Sequence, residues 1–163
     1  MANLSKALFA AGCFWGVQFY FDEVPGVVTT TVGYTGGHTE DPGYDDVITH
    51  KTGHAEAVLI TFDPEHVSYE VLVKQFFRMH DPTQLNWQGP DIGDSYRSAI
   101  FYFDDSQKKI AEAVRDSKQS EGSKPIVTQI VPAGPFYGAE PFHQKFTQRT
   151  GWGACHVPYE AVQ

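Results

Sequence analysis

Two β-type runs, Val27–Tyr34 and Ala55–Phe62, follow one another with no helical pattern between them. The intervening stretch TGGHTEDPGYDDVITHKTG is polar and glycine-rich, and a loop of that length in a compact domain is usually functional. Parallel neighbours require a long crossover, normally a helix, so this gap argues against a purely parallel doubly wound sheet. The rest of the chain alternates. Lys6–Ala11 reads as a short buried strand, and Cys13 to about Phe21 as a helix stopped by Pro25-Gly26. Ser68 caps a helix with the apolar stripe Tyr69, Leu72, Val73 and Phe76. A second long loop, His80–Tyr96, precedes a strand at Arg97–Phe103 and a helix from Ser106 to about Lys118. A strand at Val127–Val131 and a short helix from Glu140 to about Arg149, with Pro141 in its first turn, complete the pattern. The order β-α-β-β-α-β-α-β-α predicts an α+β fold: a mixed sheet with packed helices, in the split βαβ manner.

The chain of 163 residues fits one domain, 1–163, with an irregular, mobile tail over 150–163. A formal charge of −8 disfavours nucleic acid and anionic lipid as partners, since both need a basic face. No apolar run approaches the roughly 18 residues of a membrane span. The N-terminus MANLSKALFAAGCFWG lacks the basic start and cleavage site of a secretory signal, which places the protein in the cytosol. Only two cysteines occur, Cys13 and Cys155. In a reducing compartment a permanent bridge between them is not expected; they are either inert or a working redox pair.

Cys13 falls where a strand turns into a helix. Unpaired amide N–H groups and the positive end of the helix dipole favour a thiolate there, and Gly12 and Gly16 leave the sulfur uncrowded. The same position suits a small buried hydrophobe, and both readings stand. Phe14 and Trp15 point about 100° apart on a helix, so at least one ring stays near the thiol on its accessible side. Glu56 interrupts the strand HAEAVLITF on the face of Val58, Ile60 and Phe62. A carboxyl in apolar company is pushed towards its protonated form and becomes a general acid, unless it lies at a solvated strand end. Tyr44 and Tyr96, from the two long loops, can donate to a developing oxyanion or simply pack. Asp91 is by itself an acidic loop residue. Cys155, in GWGAC, is either a stray thiol or one carried by a movable segment.

The motifs GCFWG, GYTGG, DPGY, TGHAEAV, HDPTQ and YRSAIFY, in this order from about Ala7 through Arg149, closely resemble peptide methionine sulfoxide reductase, type A. The resemblance implies a ferredoxin-like α+β core and reduction of the S epimer of methionine sulfoxide, free or in proteins, without cofactor or metal. It further implies Cys13 as nucleophile, Phe14 and Trp15 as the pocket for the S-methyl group, and Glu56 as the acid protonating the sulfoxide oxygen. Tyr44 and Tyr96 would hydrogen-bond that oxygen, Asp91 would orient substrate or water, and His143 in AEPFHQ would lie near the substrate backbone. Cys155 is the one internal candidate to resolve the sulfenic acid as a Cys13–Cys155 disulfide, with thioredoxin as reductant. The chain departs from the family in its short tail and in lacking the further cysteines that many members carry. The site layout requires no partner chain, so a monomer is expected.

Two other readings compete. A peroxide-reducing enzyme would use the same thiols, but no cation adjoins GCFWG in sequence. A zinc module would draw on the histidines, and His50 and His54 have i, i+4 spacing; they lie, however, in a glycine-containing loop, and no cluster with two thiols exists.

Overall fold

A computed structural model describes residues 3–153. Its centre is β1 (Ser5–Ala11), whose last five residues are all buried. A strand apolar on both faces must be covered on both faces and flanked on both edges. It pairs antiparallel with β3 (Ala55–Phe62) on one side and with β6 (Ser98–Tyr102) on the other. β2 (Val27–Thr35) pairs antiparallel with β3, in register from Thr29 opposite Thr61 to Thr35 opposite Ala55. The inner order β6-β1-β3-β2 is that of the ferredoxin-like split βαβ unit. β7 (Gln129–Pro132) extends one edge, parallel to β6, and β8 (Phe136–Gly138) extends the other, antiparallel to β2. The sheet is therefore mixed, as the alternation predicts.

The helices α1 (Phe14–Asp22), α3 (Tyr69–Met79) and α4 (Asp105–Gln119) cover one face of this sheet. Their apolar sides meet Phe9, Val58, Ile60, Phe62 and Ile100 in the main core. Phe9 packs there between Phe21 and Phe76, with tilted rings and centroids 5.5 and 5.1 Å away. The opposite face is closed by a smaller cluster of Leu8, Ala10, Ala55, Ala57, Ala99 and Phe101, against which Leu59, Val131, Ala133 and Phe136 pack. β3 is thus covered on both sides, as its two apolar faces require. Among the described residues no helix is long and apolar enough to cross a membrane.

Several short elements depart from the sequence reading. The loop after β2 contains a one-turn helix, α2 (Tyr44–Val47), and the loop after α3 contains a two-stranded hairpin, β4 (Trp87–Gln88) and β5 (Asp91–Ile92). Neither is long enough to show a period. α4 starts one residue before the predicted Ser106, because Asp104 accepts the N–H of Gln107 as its cap. The single helix expected over Glu140–Arg149 is two pieces, a 3-10 turn (Pro141–His143) and α5 (Phe146–Thr150). Lys145 separates them with a left-handed backbone, φ 57°. Its amide donates to Gln18 Oε1 at 2.7 Å, and its ammonium donates to Asp22 at 2.6 Å. Those bonds turn the chain onto α1 in place of continuing the helix. Of the predicted tail, 154–163 lies outside the described residues.

Candidate active site

The turn from β1 into α1 needs Gly12, whose φ of +93° is strained for any side chain. It delivers Cys13 as the N-cap of α1, without a side-chain cap of its own, so the thiol stands at the unsatisfied amide end of the helix. Cys13 keeps 8% of its surface exposed. Glu56 is the second residue of β3 and lies directly opposite Tyr34 of β2. It is 2% exposed, and its Oε1 accepts the N–H of Phe14 at 3.2 Å. One helix amide therefore ties this carboxyl to the residue next to the thiol.

Two phenols face the same space from the loops. Tyr44 opens α2 and Tyr96 ends the 3-10 turn Asp94–Tyr96. Burial, then the charges of Glu56 and Cys13, push the Tyr44 hydroxyl above its ordinary value, with Tyr96 partly offsetting and Asp91 adding. Tyr96 is pushed up by burial, then by Glu56, Tyr44, Asp91 and Cys13. Both remain neutral donors at physiological pH. Asp91, on β5, is raised by burial, and its Oδ2 is buried with no hydrogen-bond partner among the described residues. The thiol, two carboxyls and two phenols thus form one cluster, drawn from β1–α1, β3, α2, β5 and the 3-10 turn.

An aromatic wall flanks it. Phe14 is 1% exposed, its ring 5.7 Å from Tyr34 and 5.4 Å from His143. Trp15 is half-buried, stacked at 3.9 Å on Phe146, and its indole N–H donates to His143 Nδ1 at 3.0 Å. His143 is fully buried against these rings and Tyr44, behind the aromatic wall. Burial holds its imidazole below the ordinary histidine range, against the pull of Glu140. Gly153 lies against the outer side: a Cβ there would come within 2.8 Å of Trp15. Cys155 is outside the described residues.

Two participants escape the sequence reading. Tyr34 is buried, and its hydroxyl donates to Glu140 Oε1 at 3.1 Å. Glu140 Oε2 accepts the N–H of Tyr44 at 3.2 Å and lies 3.8 Å from His143 Nε2. The strand register could have found Tyr34, since it pairs with Glu56; nothing local marks Glu140. His50 and His54 turn to separate partners. His50 lies 3.4 Å from Asp94, while His54 accepts the Gly37 amide on Nδ1 and meets the Thr39 carbonyl with Nε2.

The family model described as peptide methionine sulfoxide reductase matches residues 5–163. The peptide methionine sulfoxide reductase MsrA of Geobacter sulfurreducens is 51% identical over 155 residues, covering 94% of this chain and 96% of the relative. The chain belongs to the peptide methionine sulfoxide reductase family. It is accordingly an oxidoreductase acting on methionine sulfoxide. Among solved structures, reduced Mxr1 of Saccharomyces cerevisiae superposes with a TM-score of 0.89 at 29% identity, covering 96% of this chain and 92% of that one. Mxr1 in complex with Trx2 superposes with a TM-score of 0.63 at 25% identity, covering 88% of this chain and 85% of that one. These likenesses cover most of the chain, so its fold is that of the family.

Proposed function

We propose that the chain is a single catalytic unit that reduces the S epimer of methionine sulfoxide, free or in proteins, by way of a Cys13 sulfenic acid. A sulfoxide sulfur is a poor electrophile until its oxygen gains a proton. Glu56 gives that proton, the Tyr44 and Tyr96 hydroxyls donate hydrogen bonds to the same oxygen, and the Cys13 sulfur attacks. Oxygen passes to Cys13 and methionine leaves, so the substrate gains two electrons and the cysteine loses two. Phe14 and Trp15 hold the S-methyl group, Asp91 orients substrate or water, and His143 acts through Trp15. The Cys155 thiol then condenses with the sulfenic acid, forming a disulfide and releasing water. A dithiol reductant of the thioredoxin type resets the pair by exchange.

The observation that carries this reading is the 3.2 Å bond from the Phe14 amide to Glu56, which sets an almost fully buried carboxyl beside the thiol. For Cys155 the support is its place in the sequence. It is the chain's second cysteine, and Gly153, the last described residue before it, lies where an added Cβ would meet Trp15 of the aromatic wall. For the reductant, the support is that the related yeast Mxr1 forms a complex with Trx2. A cytosolic, monomeric enzyme fits this chemistry, because a reducing compartment keeps both thiols ready and the cluster draws on one chain alone.

Mass measurement after one turnover with an S-sulfoxide tests the sequence of steps. The expected product is a chain lighter by about two hydrogens, bridged from Cys13 to Cys155. A sulfenic acid that persists, or a bridge to an added thiol, would remove Cys155 from the scheme. Rapid consumption of peroxide with no methionine formed would replace the whole reading by a peroxidase.

A further inference from the structure

We propose that Glu140 is the positioning residue of this site, a single carboxylate that holds three of its walls in place. The proposal rests on the sulfoxide-reductase reading for its kinetic part only. Both oxygens of Glu140 are in use: Oε1 accepts the Tyr34 hydroxyl at 3.1 Å, and Oε2 accepts the Tyr44 backbone N–H at 3.2 Å. The first bond fixes the ring that backs Phe14 and lies across the strand register from Glu56. The second fixes the start of α2, a helix of only four residues that has little stability of its own, and so places the Tyr44 phenol.

The third wall is reached through His143. The indole N–H of Trp15 donates to His143 Nδ1 at 3.0 Å, so that nitrogen must carry a lone pair and the ring proton must sit on Nε2. Nε2 lies 3.8 Å from Glu140 Oε2, and the carboxylate stabilises a proton there. Glu140 thereby selects the tautomer that Trp15 needs. The groups facing the imidazole are Glu140 from its own turn, Tyr44 from α2, Phe14 and Trp15 from α1, and Phe142 beside it. Only Glu140 among them bears a charge. Burial would push the Glu140 carboxyl up, but its own amide, the Tyr44 amide, the Tyr34 hydroxyl and His143 together hold it below the ordinary range, so it is ionised at neutral pH. Nothing in this arrangement places Glu140 at the reacting sulfur; it acts through Tyr44, Tyr34 and Trp15.

The experiment combines kinetics with the emission of Trp15, read in a chain carrying Trp87→Phe and Trp152→Phe. In the parent, Trp15 emission changes with a midpoint below the ordinary histidine value of 6.5, as protonated Nδ1 ceases to accept the indole bond. Glu140→Gln moves that midpoint to lower pH, because the charge favouring the imidazolium is gone. With free methionine S-sulfoxide, Glu140→Ala loses roughly 10-fold or more in kcat/KM, the scale of one charge-assisted hydrogen bond. Glu140→Gln, which keeps an acceptor for the Tyr44 amide, recovers part of that loss. A residue needed only for folding would change the melting temperature and leave the Trp15 midpoint where it was. An unchanged midpoint in Glu140→Gln overturns the proposal, and so do kinetics within two-fold of the parent in both variants. The emission titration does not depend on turnover. A parent that fails to reduce the sulfoxide therefore defeats the functional reading, while the midpoint shift still decides the positioning role.

Discussion

Replacing Glu56 by Gln separates the chemistry of the site from its architecture. Gln keeps the side-chain length and an amide oxygen, so the Phe14 N–H retains its acceptor at the position now 3.2 Å away. The structural loss is small, because the protonated acid and the amide both present a neutral oxygen to that N–H, so at most about 1 kcal/mol is at stake, or roughly 2–4 °C of melting temperature in a domain of this size. The chemical loss is larger. An amide has no proton to give to the sulfoxide oxygen, and a positioned general acid contributes on the order of 100- to 10,000-fold, or about 3–5 kcal/mol of barrier. The assay is rapid-quench measurement of methionine formed in a single turnover at saturating S-sulfoxide, alongside thermal unfolding followed by circular dichroism. We expect a rate at least about 100-fold lower with a nearly parental melt. A single-turnover rate within about three-fold of the parent would refute the assignment of Glu56 as the acid, since less than 1 kcal/mol of barrier would then depend on its proton. A melt lowered by far more than a few degrees would instead mark Glu56 as a scaffold group. Glu56→Asp, which keeps the acid but draws it back from the Phe14 amide, should fall between parent and Gln.

Other outcomes follow from the same geometry. Cys155→Ser should release one methionine per chain in a quench experiment and then stop when thioredoxin is the only reductant. Asp91→Asn should raise the melting temperature at neutral pH while slowing turnover. Burial lifts the Asp91 carboxyl above its ordinary 3.8, so the folded state holds that proton more tightly than the unfolded one. Stability is therefore lost as pH rises from that value, and the advantage of Asn should grow over the same interval and then level off in a pH series of melts. Gly33→Ala should destabilise the fold by roughly 1–3 kcal/mol in urea titration. Its Cβ would stand 2.4 Å from the Tyr137 carbonyl and 2.5 Å from the Phe136 ring, forcing β8 away from β2. Gly153→Val should raise the KM for free sulfoxide, because φ +83° strains the backbone and the new side chain meets Trp15.

The long elements were legible because their patterns are strong. β1 and β3 are apolar on both faces, α3 carries a full stripe with a Ser68 cap, and the missing crossover helix between β2 and β3 already implied an antiparallel pair. The thiol's place was legible too, since a strand ending in Gly12 followed by Cys13 defines a helix start. The short pieces α2, β4, β5 and β8 were not, because two to four residues display no period and are held by neighbours distant in sequence. Lys145 shows why the last helix breaks where its pattern does not. Its local pattern permits one continuous helix, yet bonds to Gln18 and Asp22 on α1 dictate a left-handed break. Glu140 was hidden for the same reason: all that distinguishes it is contact with Tyr34 and Tyr44 from across the chain.

The Trp15–His143 bond joins positions 128 apart. A growing polypeptide emerges amino end first, so Cys13, the proposed nucleophile, is made long before the imidazole that steadies its neighbour. The sheet can assemble around β1 and β3 while the sulfur still lacks one side of its enclosure. Competence as a catalyst is then among the last properties the nascent chain acquires. On the proposed mechanism it arrives when residues 140–146 pack onto α1, and a chain interrupted before that point would bear the proposed nucleophile without the His143 and Phe146 rings that hold Trp15 beside it.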